Sequence, residues 1–160
     1  MSKSKHLADR FREVILSGKW IAYTNLSEQL KDLNWMQATQ SIGSLNSIAA
    51  LCFHLNYYIA GTLEVFAGRD LTIRDKYSWD IPAITSENDW KDLKNKIKIN
   101  AKLYAAHVET LSDEQLNESF SKIEYGTYQK NISGMIEHCY YHLGQVVVIK
   151  KLLLENSNFN

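Results

Sequence analysis

Proline occurs once in 160 residues, at Pro82. Inside a helix proline removes a hydrogen bond and clashes with the preceding turn, so a chain almost free of it can be helical nearly throughout. Apolar residues recur at helical spacing along most of the length. Leu7, Phe11, Val14 and Ile15 mark a first helix from about Lys5 to Ser17, stopped by Gly18, and Leu26, Leu30 and Leu33 mark a shorter one. Ile48, Leu51, Leu55, Ile59 and Leu63 line a long helix capped by Ser44 or Asn46 and ended by Gly68. Residues 71–84 have no period and contain Pro82, which predicts a long connection over 68–89. Ser86-Glu87-Asn88-Asp89 resembles a capping box and opens a helix carrying Trp90, Leu93, Ile97, Tyr104, Val108 and Leu111. A last long helix is expected from about Asn131 to Glu155.

The segments between are expected to be irregular. Asn34 to Gly43 reads as a loop, Ser112 to Lys130 as an irregular connection with one turn at Asp113–Leu116 and another at Gly126, and Ser157 to Asn160 as a polar tail. No segment reads as a strand. The expected fold is all-α, a four-helix bundle forming a single domain over residues 1–160. The stretch 68–89 is long enough to cross between helices that are not antiparallel neighbours.

Eighteen basic residues balance eighteen acidic ones. A general nucleic-acid binder needs an excess of Lys and Arg, so no nucleic-acid partner is expected. No apolar run reaches the length of a membrane span, and Ser2 to His6 form no secretory segment. Two cysteines, Cys52 and Cys139, are too few for a disulfide framework. The expectation is a cytoplasmic protein with no membrane partner.

Chemistry concentrates in the last helix, where His138 and His142 stand four residues apart on the apolar stripe Met135, His138, His142, Val146, Ile149, Leu153. Positions i and i+4 share a helix face, so two inward imidazoles can reach one ion. Three protein ligands with open positions form the catalytic pattern. His54, in the middle of an apolar helix, is the best-placed third donor, although spacing alone does not select it over His107. The plain alternative is that each histidine is a hydrogen-bonded core residue. A zincin is excluded because Cys139 follows His138 where Glu is required. A ferritin-like di-iron centre is excluded because Met135 and Leu51 occupy the places of its glutamates.

The run His138-Cys-Tyr-Tyr-His142-Leu-Gly144-Gln145, preceded by Ser47-Ile-Ala-Ala-Leu-Cys-Phe-His54, resembles the DinB/YfiT-like superfamily. Gly18-Lys19-Trp20 and the leucine-rich short helix resemble its front end, so the likeness spans nearly the whole chain. The resemblance implies an up-down-down-up four-helix bundle, commonly a homodimer. It implies a divalent metal, zinc or nickel, held by His54, His138 and His142 with water in the remaining positions. It further implies a small-molecule substrate, a low-molecular-weight thiol, as in the family's thiol-dependent transferases and isomerases. Chemically, a metal-bound thiolate would give thiol transfer and a metal-bound hydroxide hydrolysis. It supplies no general base, and Cys139 is not part of its pattern. The competing class is a non-catalytic helical dimer whose metal is structural or absent. Haem ligation is a third reading, requiring a large apolar cavity that nothing in the sequence announces.

Several residues carry weaker signals. Gln145, one turn past His142, is a candidate to orient a ligand or simply to pack, and Tyr58, one turn past His54, is a candidate phenol donor or a core tyrosine. Gly144 is expected to permit close helix approach, and Glu137 to face solvent. Lys91, Lys94, Lys98 and Lys102 share a helix face that is either an anion-docking surface or merely solvated.

Overall fold

A computed structural model describes residues 2–157, with side chains to 155. Among these residues the chain is all-helical, with seven α-helices, short 3-10 and π turns, and an isolated bridge between Ser119 and Thr127. None of these helices is long and apolar enough to cross a membrane.

Helix α1 (Lys3–Arg12) starts at Ser2, whose hydroxyl accepts from the Lys5 amide, and runs into a π turn at Glu13–Ser17. The expected stop at Gly18 is steric: a Cβ there would sit 2.4 Å from the Glu13 Cα. Helix α2 (Leu26–Leu30) is capped by the buried Asn25, which also donates to the Gly18 carbonyl. The segment expected to be a loop after Asn34 instead holds α3 (Trp35–Thr39), because Asn34 and Gln37 form a reciprocal capping box.

Helix α4 (Ile48–Phe66) is capped by Ser47, one residue after Asn46 and three after Ser44, the two expected caps. Helix α5 (Glu87–Thr110) begins at Ser86 as expected, but Asp89 reaches back to Thr85 rather than closing a box on Ser86. A second reciprocal box, Ser112 with Gln115, builds α6 (Asp113–Asn117), which takes the place of the turn expected over Asp113–Leu116. Helix α7 (Tyr128–Ser157) starts three residues before the expected Asn131, its first turn accepting the Lys130 amide on Thr127 Oγ1. Of the expected polar tail, residues 158–160 lie outside the described residues.

Helix α1 packs on α5, α5 on α4, and α4 on α7, while α7 returns to α1, α2 and the π turn. Between them lies one core that includes Phe11, Leu51, Leu55, Ile59, Trp90, Tyr104, Ile132 and Val146. Trp90 is fully buried and donates its indole hydrogen to the Leu33 carbonyl, tying α5 to the link between α2 and α3.

The connection between α4 and α5 is a built part of the fold. It lies along α4 and meets it at successive turns. Ile73 packs on Gly61, the Arg74 amide donates to the Tyr57 hydroxyl, Asp75 accepts from the Tyr58 hydroxyl, and Ser78 meets His54. Gly61 is the position that lets the connection in, since a Cβ there would sit 2.5 Å from Ile73 Cγ2. Gly61→Ala should therefore destabilise the protein by about 1–3 kcal/mol through overpacking, against the gain that alanine brings to an ordinary helix. Urea denaturation checks this, and an unchanged or raised midpoint would contradict the close approach.

Candidate metal centre

His54 lies on the buried face of α4 beside Leu51 and Leu55, and His138 and His142 lie on α7. His54 and His142 are buried and His138 is half-buried. The packing of α4 on α7 turns all three rings toward one point. His138 Nε2 is 3.1 Å from His54 Nε2 and 2.8 Å from His142 Nε2, and the three ligand nitrogens lie within 4.8 Å of one another.

The outer nitrogens fix the chemistry of the inner ones. His54 Nδ1 lies 3.3 Å from the Ser78 carbonyl, and His142 Nδ1 lies 2.6 Å from Gln145 Oε1. Both partners are acceptors, so each Nδ1 carries the hydrogen and each Nε2 presents a lone pair to the centre. His138 Nε2, between the other two, has at most one hydrogen while neutral and can satisfy only one of them. Three converging Nε2 atoms are thus an unsatisfied hydrogen-bond set, and with His138 in the matching tautomer they form a three-nitrogen ligand set. Neighbouring nitrogens around an ion at about 2.0–2.1 Å sit roughly 3.0–3.4 Å apart, close to the two short separations here.

Aromatic rings hold this geometry. Trp79, from the connection, stacks on His54 with ring centres 3.8 Å apart and planes 14° from parallel. Tyr58 presents its ring edge-on to both His54 and His138. Its hydroxyl is donated to Asp75 Oδ1 at 2.8 Å rather than to the cluster, and burial followed by that bond pushes its pKa up. Tyr58 therefore acts as a wall and a tether for the connection, not as the proton donor considered from sequence.

The imidazoles are held neutral. Burial, followed by the neighbouring His142 and His54, lowers His138 to about 4. His54 is lowered by burial and then by His142, and His142 by burial against the opposing bond to Gln145. Neutral imidazole is the form that binds metal.

The other candidates sort clearly. Gln145 is the residue that orients His142. Gly144 does not serve close helix approach, because an added Cβ would meet nothing within 4 Å; it lines an open cleft of about 440 Å³ with Tyr141 and Gln145. Glu137 is exposed, as expected. Cys52 and Cys139 are buried free thiols, and burial pushes Cys52 up to about 12 and Cys139 higher still, so neither is a ready thiolate. His107 lies outside the cluster, stacked on Phe66. Lys91, Lys94, Lys98 and Lys102 line a separate cleft with Lys31 over an apolar floor. Ser78 and Trp79 went unnoticed in the sequence because they sit in an aperiodic stretch, and the carbonyl that orients His54 has no side-chain signature.

Comparison with protein families, with curated proteins and with solved structures yields no match for this chain. The functional argument accordingly rests on the cluster itself.

Two outcomes follow from this geometry. The folded imidazoles hold their protons less tightly than the ordinary value of about 6.5, so the unfolded chain binds more protons as pH falls. The stability they contribute is complete above about pH 6.5 and is lost as pH falls toward about 4. Denaturation midpoints of metal-free protein across that range should show this slope, and His138→Gln should flatten it. Gln145→Leu should weaken metal binding by about 10–100-fold, the usual effect of losing the partner that orients a ligand. Titration with a chromophoric chelator as competitor measures it, and unaltered affinity would remove Gln145 from the site.

Proposed function

We propose that this protein is a metal-dependent enzyme of the DinB/YfiT-like type, an up-down-down-up four-helix bundle holding one divalent ion on His54, His138 and His142. The observation that supports it is the inward turn of three Nε2 atoms, two of them with outer nitrogens held by acceptors. Imidazole donors suit zinc and nickel, with copper and iron also within their chemistry. A divalent ion at such a site supplies Lewis acidity and lowers the pKa of a bound water or thiol.

The chain's own residues carry the rest of the proposal. Three protein ligands leave positions open, the pattern of catalytic rather than structural sites. His138, the least buried of the three, borders an open cleft of about 370 Å³, which is the route for a substrate. Trp79 covers His54 and His142 from the connection side, shielding that flank from water. Ser78 and Gln145 hold two rings in the donor orientation, so little reorganisation is needed on binding. Thiol transfer with a low-molecular-weight thiol is the proposed reaction and hydrolysis its alternative, in a cytoplasmic homodimer.

Elemental analysis of purified protein should find about one zinc or nickel per chain, and His54→Ala should lose it. Chelation should lower the Tm, since a ligand bound only to the folded state stabilises it by mass action. The metal-loaded protein should then turn over a thiol with an aromatic electrophile, or hydrolyse an ester or amide, above the rate of His138→Ala. Metal-free protein with a Tm indifferent to chelators would end the metal reading. Metal without turnover would leave a structural ion.

A further inference from the structure

Lys130, Gly134, His138 and His142 follow one another at intervals of four along α7, so a lysine, a gap and two of the proposed ligands share one side of the helix. The cleft beside His138 is lined by the first three of that row, Lys130, Gly134 and His138, with Tyr58 and Tyr125 flanking it. We infer that this cleft is the substrate trough and that its ligand is a small organic anion whose carboxylate or phosphate pairs with Lys130 while its other end reaches the ion. The inference rests on the metal reading above and adds the chemical class of the substrate.

Gly134 is the first support. It is exposed in the middle of a 30-residue helix, where glycine is less stable than alanine. Packing does not require it, because an added Cβ would meet nothing within 4 Å. A side chain there would project into the cleft between Lys130 and His138, so the glycine keeps that floor low.

Lys130 is the second support. Its stem lies against the turn at Gly126, where a Cβ would sit 2.8 Å from Lys130 Cδ. None of the ion pairs found among the described residues involves it, and no carboxylate lines the cleft. Lys130 is exposed at the rim of this neutral cleft, where an anionic group would form a charge-assisted hydrogen bond with its ammonium. Eight residues separate Lys130 from His138, a rise of about 12 Å, which bounds the span of the ligand.

Cobalt-substituted protein tests this, because its visible spectrum reports the ion independently of activity. The probes are straight-chain mercaptocarboxylates, the matching mercaptoalkyl phosphates, and neutral mercaptoalcohols of equal length. In the wild type one anionic series should bind about tenfold or more tightly than the alcohols, and whichever anion prevails identifies the group. Lys130→Ala should erase that preference without altering alcohol binding. Gly134→Leu should keep the cobalt spectrum and a Tm at or above wild type, while weakening all but the shortest probes. Equal affinity for charged and neutral probes, a preference that survives Lys130→Ala, or full binding by Gly134→Leu would each overturn the inference and leave the metal site standing. Absence of a cobalt spectrum in the wild type would instead remove the metal reading, and the trough's role with it.

Discussion

The packing of α4 against α7 brings together imidazoles that are 84 residues apart in sequence, and the site depends on that contact. Apolar side chains would fill the same space without any hydrogen-bonding demand. Here the interface carries three rings whose inner nitrogens cannot all be satisfied by one another, because two of them are made acceptors by Ser78 and Gln145. Burial then keeps the rings neutral, which removes mutual charge repulsion and retains the lone pairs. Desolvation, tautomer control and convergence all act in the same direction, toward a cation.

The connection between α4 and α5 belongs to this arrangement as much as the helices do. Its contacts with Gly61, Tyr57, Tyr58 and His54 run in order along α4, so the position of Ile73 on the helix determines where Ser78 and Trp79 arrive. A bulky residue at Gly61 would be felt at His54, two helical turns away. That coupling explains why a segment without regular structure can hold a ring stack and a carbonyl in fixed relation to the cluster.

The glycines divide by physical role. Gly18 and Gly61 are places where another part of the chain comes too close for a side chain, whereas Gly134 and Gly144 face open clefts on either side of the histidine pair. The first pair serves packing and the second leaves space. In one dimension all four are simply glycines, and Gly144 is easily taken for a packing residue on helix propensity alone.

Helices α1, α4, α5 and α7 and the shared face of His138 and His142 were legible from residue order, because helical periodicity and i,i+4 spacing are local properties of the chain. So were the stop at Gly18 and the opening of α5 at Ser86. The short helices α3 and α6 were legible in principle, through Asn34 with Gln37 and Ser112 with Gln115, but their capping boxes precede no long apolar run. Folding in three dimensions chose His54 over His107 as the third member of the cluster, gave Gln145 its hold on His142, turned Tyr58 toward Asp75, and brought Ser78 and Trp79 to the site. Those outcomes depend on which faces of distant helices meet and on where an aperiodic strand of backbone comes to lie. Neither quantity leaves a repeating trace in the order of residues.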